Sequence, residues 1–142
     1  AATATLLKKQ KPMALLRVAW WPGGRTAQKA FSSSPAMTAS VAARAAPAER
    51  KAAFEAVASK ARLMRYGGDC YAYCMLASGF VDVIVEASLQ PYDVQALMPI
   101  IEGAGGLITA WDGSSAQHGG CVVACGDPVL HAQMVEMLRH AL

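Results

Sequence analysis

No aspartate or glutamate occurs before Glu49 in this 142-residue chain; all ten carboxylates lie at or beyond that position. Chemistry that needs a carboxylate, whether acid–base work or a site for a hard cation, is therefore confined to the part that follows. Charge as a whole is scarce, at 16% of residues against 54% hydrophobic. That balance excludes a disordered, self-repelling chain and predicts a compact domain with a real core. Long apolar runs are also missing: charges, Gly or Pro interrupt every candidate before the roughly 18 residues a bilayer crossing needs. No membrane partner is expected. Nor are any two acids adjacent in the sequence, so the simplest carboxylate pair for clamping two metal ions is absent.

The acid-free stretch is not charge-free. Residues 1–48 carry Lys8, Lys9, Lys11, Arg17, Arg25, Lys29 and Arg44. Such an Arg/Lys-, Ala- and Ser-rich composition is that of an organelle transit peptide, and equally that of an irregular or truncated N-terminus joined to a domain. A soluble protein of cytoplasm or plastid is expected. The basic residues are thinly spread and lack interleaved aromatics, which argues against a nucleic-acid partner.

Four cysteines form two C-x3-C pairs, Cys70 with Cys74 and Cys121 with Cys125. If the second pair lies on a strand, its members are about 13 Å apart at roughly 3.3 Å per residue, too far to share a tetrahedral zinc. Buried free thiols in a reducing compartment are expected.

Residues 1–31 show no sustained period and are left as a tail or hairpin remnant; residues 32–142 read as one α/β domain. Phe31 to Met37 predicts a short strand with a turn at Ser34-Pro35. Pro47 to Leu63, Ala-rich with Phe54, Val57 and Ala58 at helical spacing, predicts a helix with Pro in its first turn. Strands follow at Leu63 to Tyr66, Val81 to Glu86, Leu107 to Trp111 and Cys121 to Cys125. Helices are predicted at Asp69 to Ser78, Tyr92 to Glu102 and Pro128 to Leu142, with a turn at Asp112-Gly113. This alternation implies a mostly parallel sheet flanked by helices on both faces.

Carboxylates at the carboxyl ends of strands are where α/β sheets gather ligands. Glu86 closes Val-Asp-Val-Ile-Val-Glu and is either such a residue or an ordinary strand-end acid facing water. Gly67-Gly68 lets backbone approach a ligand closely before Asp69, which is also a candidate N-cap. Asp93 falls in the first turn of the helix after Pro91-Tyr92, where the helix dipole alone would stabilise a carboxylate by about 0.3–1 kcal/mol. Pro99 falls inside that same helix and predicts a kink. His118, His131 and His140 have no mutual spacing that suggests a site.

The segment from Arg65 to Gly113, RYGGDCYAYCMLASGFVDVIVEASLQPYDVQALMPIIEGAGGLITAWDG, resembles the C-terminal half of the magnesium-dependent inositol monophosphatase-like phosphatases. Its GGDCYAY run is most similar to the histidinol-phosphate phosphatase branch. The resemblance implies Asp93 as a Mg2+ ligand, and Gly67, Gly68, Asp69 and Glu86 as substrate-binding residues, the two acids facing the ammonium of histidinol. It also implies a small phosphate ester as substrate and allows a homodimer. The family's Glu-Glu pair and its Asp-Pro-(Ile/Leu)-Asp-Gly-(Thr/Ser) loop do not occur; Asp112-Gly113-Ser114 lacks the preceding Asp-Pro. The expected chain is thus a C-terminal α/β half without most of the N-terminal α+β half, and a catalytically incomplete histidinol-phosphate phosphatase. An inositol or sugar phosphate phosphatase and a non-catalytic, partner-binding domain are the alternatives.

Overall fold

The computed structural model of the chain describes residues 36–39 and 47–141. The tail expected over residues 1–31 lies outside the described residues, as does the part of the first expected strand that precedes Ala36. The observed elements are β1 (Ala36–Ala39), α1 (Ala48–Ala58), β2 (Leu63–Tyr66), α2 (Asp69–Ala77), β3 (Val83–Leu89), α3 (Pro91–Val94), α4 (Met98–Gly103), β4 (Leu107–Ala110), β5 (Gly120–Cys125) and α5 (Pro128–Leu138). Short 3-10 turns occupy Ala116–His118 and Arg139–Ala141.

The strands form one five-stranded sheet in the order β2-β1-β3-β5-β4. Here the expectation of a mostly parallel sheet needs refinement. β1 is parallel to both β2 and β3, whereas β5 is antiparallel to β3 and to β4. Four strands therefore share one direction and β5 opposes them. The cause is connection length: parallel neighbours need a crossover of a dozen or more residues, usually helical. Between Ala110 and Gly120 there is only a turn and a single 3-10 turn, which suffices for a hairpin and nothing longer.

Helices cover both faces, as expected. On one face Phe54 and Val57 of α1 and Leu130, Met134 and Leu138 of α5 pack on Val83, Val85, Val123 and Cys125. On the other, Ala72, Tyr73 and Leu76 of α2, Val94 of α3 and Ile101 of α4 pack on Ile84, Val122, Ala124 and Ile108. The alternation of Val83 and Val85 against Ile84 and Glu86 is that of a strand whose two faces are both buried.

Three helix boundaries differ from the pattern, the last helix, expected to reach Leu142, ending at Leu138 before the Arg139–Ala141 3-10 turn. α1 ends at Ala58, and a Ser59-Lys60 turn separates it from β2, so the helix expected to reach Leu63 stops short. The single helix expected over Tyr92 to Glu102 is two, α3 and α4, with turn residues between them. Pro99 has no N–H to offer the carbonyl four residues back, and it falls in the first turn of α4, where its nitrogen needs no partner. The chain tightens there through the Leu97 N–H to Val94 carbonyl bond of 2.9 Å before restarting as α4.

The cysteine expectation is half corrected. Cys121 and Cys125 on β5 are buried, but Cys70 and Cys74 on α2 are exposed; all four are free. Their helix packs its Ala72, Tyr73 and Leu76 face inward, leaving both thiols on the outer side.

Candidate functional site

Two strand-to-helix corners and one strand end bring the candidate residues into one neighbourhood on the α2–α3 side of the sheet. After β2, Gly67 and Gly68 take φ values of 79° and 106°, and Asp69 itself sits at 42°. Glycine reaches these angles without steric cost, and Asp is among the few other residues that tolerate them. Gly68, not Asp69, is the N-cap of α2, and Asp69 is its first helical residue. The N-cap reading of Asp69 is therefore replaced: its exposed carboxylate makes no cap bond and stays available at the mouth of the corner.

Glu86 stands at the other extreme of exposure, only 4% accessible. Its partner is Val122 on β5, the last regular pair before a bulge that shifts the register between Glu86 and Leu89. Ser88 within that bulge adopts φ 65°, and the bulge turns the chain from β3 towards α3. Gly119 holds the opposite side: any Cβ there would collide with the Leu89 carbonyl. Glu86 is thus not a strand-end acid facing water. Its Oε2 accepts a hydrogen bond of 2.8 Å from the hydroxyl of Tyr73, which is itself buried. Burial pushes the Glu86 carboxyl above its ordinary range; the Tyr73 hydrogen bond opposes this, and the charges of Asp69 and Asp93 add to it. The Tyr73 hydroxyl is pushed up as well, first by burial and then by the charge of Glu86.

Asp93 is the third residue of α3 and is exposed. Its Oδ2 accepts from the Gln90 backbone N–H at 2.8 Å, while the Asp93 backbone N–H donates to the Gln90 carbonyl at 3.0 Å, so its carboxylate caps the start of α3. The cap role is real in this geometry, yet it uses one carboxylate oxygen and leaves the other without a partner among the described residues.

The structure thus brings together Asp69, Glu86 and Asp93, close enough for both exposed acids to raise the proton affinity of the buried one. Mutual repulsion of this kind is relieved by an arriving cation, inorganic or organic. No group of three or more His, Cys, Asp or Glu side chains capable of holding a metal forms among the described residues. Gly67 has open space where a Cβ would be, so only its backbone angle calls for glycine; at Gly68 a Cβ would come within 3.3 Å of the Ala72 side chain. Tyr73 is the residue that sequence reasoning missed. It lies four residues after Asp69, on the same side of α2, which was the available signal.

Among the described residues no histidine is hydrogen-bonded to Asp69, Glu86 or Asp93. His131 is buried, with its Nε2 2.9 Å from Thr109 Oγ1 and its pKa lowered by desolvation. His118 and His140 are exposed. A groove lined by Lys60, Val129, Gln133, Glu136 and Met137 lies on the α1–α5 face, across the sheet from the acids. No helix among the described residues is long and apolar enough to cross a membrane.

Comparison with known proteins identifies the family. The chain matches the inositol monophosphatase family over residues 22–142. It is 46% identical over 100 residues to the bifunctional phosphatase IMPL2, chloroplastic, of Arabidopsis thaliana, covering 64% of this chain and 29% of that protein. To the histidinol-phosphatase of Mycobacterium tuberculosis it is 36% identical over 76 residues, 54% of this chain and 29% of the relative. Among solved structures, the inositol monophosphatase of Zymomonas mobilis superposes with a TM-score of 0.67 at 33% identity, over 75% of this chain and 43% of that one. The chain spans less than half the length of each of these proteins.

Proposed function

Because the chain belongs to the inositol monophosphatase family, we propose that it carries the substrate-recognising portion of a magnesium-dependent phosphomonoesterase that converts histidinol phosphate to histidinol in histidine biosynthesis. The observation that supports this reading best is the buried Glu86, held by Tyr73 and faced by Asp69 and Asp93. A pocket for an uncharged polyol has no need of so much negative charge, whereas a substrate with an ammonium group does. The names of two relatives, both histidinol-phosphatases, point the same way. The chloroplastic relative, together with the acid-free basic N-terminal stretch, favours a plastid location.

Each residue then has a defined task. The ammonium group of the substrate pairs with Asp69 and Glu86, and Tyr73 fixes the Glu86 carboxylate so that it need not reorient when the substrate arrives. Gly67 and Gly68 allow the backbone to approach the bound molecule. Asp93 fits a magnesium ion as a single hard oxygen donor, through the oxygen its cap leaves unused. Magnesium, when bound, supplies an activated water and charge neutralisation at the phosphate. The described residues do not amount to a complete magnesium shell, so this chain alone is expected to release phosphate slowly or not at all.

The test uses a chimera in which this chain replaces the matching 100-residue region of the Arabidopsis relative. Removing one partner of a desolvated charge pair costs ~2–5 kcal/mol. Asp69→Ala should therefore weaken histidinol phosphate at least thirtyfold or so while leaving inositol 1-phosphate nearly unchanged. Equal losses for both substrates refute the ammonium assignment and favour a polyol phosphate. In the same chimera Asp93→Asn, which still caps α3, should lower turnover by orders of magnitude without moving thermal unfolding measured in chelator. Retained turnover would leave Asp93 a cap and nothing more.

A further inference from the structure

The two exposed thiols have no task in the site described above. Cys70 and Cys74 both belong to α2, and the helix is hydrogen-bonded through this stretch by the Ala72 N–H to the Gly68 carbonyl and the Ser78 N–H to the Cys74 carbonyl. Side chains four residues apart on a helix lie one above the other, with about 5–6 Å between their Cβ atoms. The second pair has the same C-x3-C spacing in sequence but lies on β5, where it is stretched to about 13 Å and buried, with burial pushing the Cys125 thiol up. One spacing, read through two secondary structures, gives one pair that converges and one that cannot.

We propose that Cys70 and Cys74 form a two-thiolate site for a soft divalent cation of the zinc and cadmium class. Metal–sulfur bonds of about 2.3 Å let one ion bridge two thiolates across a helical turn after side-chain rotation alone. A disulfide requires Cβ atoms about 3.5–4.5 Å apart, closer than this helix sets them, so the regular helix favours a metal bridge over oxidation. Each thiol gives its proton to solvent on binding, and water completes the shell of the ion. Once one thiolate has bound, the second is already in reach, which raises its effective concentration. The site is chemically orthogonal to the acids nearby. Oxygen donors at Asp69, Glu86 and Asp93 suit a hard ion, sulfur donors on the outer side of α2 a soft one.

The experiment is a titration of the fully reduced chain with Cd2+ in the presence of excess Mg2+, followed by calorimetry and by the thiolate-to-cadmium charge-transfer absorption. One Cd2+ per chain should bind, with Cys70→Ser and Cys74→Ser each weakening it about tenfold or more through loss of the chelate, and Cys121→Ser leaving it unchanged. Cys70 and Cys74 are exposed, so their variants should fold, and far-ultraviolet circular dichroism checks this for them and for the buried Cys121→Ser control. Two independent ions per chain, one lost with each cysteine, would overturn the chelate. Displacement of Cd2+ by Mg2+, or an affinity indifferent to Cys70→Ser, would overturn the site itself.

Discussion

Replacing Tyr73 by Phe removes a single oxygen, yet that oxygen is the donor that Glu86 relies on inside the protein. Both side chains are essentially buried and the bond measures 2.8 Å. A hydrogen bond to an ionised group contributes about 1.5–3 kcal/mol, a neutral one about 0.5–1.5 kcal/mol. The expected loss therefore depends on pH. The Glu86 pKa is already raised by burial, and the Tyr73 bond is the cause that pulls it back down; without that bond it rises further. Well below the ordinary carboxylate range Glu86 is protonated in folded and unfolded chains alike, and Tyr73→Phe costs only the neutral bond. As pH rises through the folded pKa of the parent, the variant falls progressively behind, and the deficit saturates above the variant's own, higher pKa. Urea unfolding at about pH 8 should show a midpoint lower by roughly 1 M for a 2 kcal/mol loss. At about pH 4, near the ordinary glutamate value, the loss should shrink to that of the neutral bond. A penalty equal at both pH values, or one below about 0.5 kcal/mol at the higher, would refute the picture of an ionised Glu86 held by Tyr73.

Substitutions at two further positions test how the sheet and its helices are held. Gly119→Ala should cost about 1–3 kcal/mol, because φ is 73° and the new Cβ meets the Leu89 carbonyl across the bulge; an unchanged thermal midpoint would mean that the bulge does not depend on this close approach. Asp127 caps α5 by accepting from the Leu130 N–H at 2.8 Å, while its Oδ2 is buried without a partner among the described residues. Asp127→Ala should lose about 1 kcal/mol, whereas Asp127→Asn keeps the cap, removes a buried charge and should equal or exceed the parent in chemical denaturation. Asn falling as far as Ala would assign the stabilisation to the charge and not to the cap.

Local order was legible in the sequence wherever pattern and punctuation agreed. β2 spans Leu63 to Tyr66 as expected, closed by Gly67, and α2 begins at Asp69 as expected and ends at Ala77, one residue short of Ser78. The direction of β5 was not legible, because it follows from the length of a connection and from which strands the sheet already holds. The α3–α4 break was half legible: Pro99 announced a kink, but the regular spacing of Val94, Leu97, Met98 and Ile101 concealed its depth. In the site, Glu86 could be placed on its strand from the alternation alone, but not buried, because burial depends on α2 crossing above it. Exposure of Cys70 and Cys74 was hidden for the same reason; a helix buries only one stripe, and the sequence does not say which until its neighbours are placed.

The mixed sheet also carries a consequence for how the chain acquires its structure. Ala110 and Val122, paired between β4 and β5, are 12 positions apart, while Met37 and Val83, paired between β1 and β3, are 46 apart. Closing the longer loop costs about 1.2 kcal/mol more chain entropy by the logarithmic rule. Local pairing comes sooner, so the β4–β5 hairpin with α5 against it is the expected starting nucleus, and β3 adds next to β5. β1 and β2, whose paired residues Ala36 and Leu63 are 27 positions apart, form their own pair, and the longer β1–β3 span joins it to the sheet last. Since Glu86 pairs with Val122, its place in the sheet is fixed when β3 docks, whereas Tyr73, which covers its carboxylate, and the corner that carries Asp69 reach it only when β1 joins β3. Electrostatic repulsion between these acids is therefore deferred to the final steps of folding, after the hydrophobic layers that can withstand it are in place.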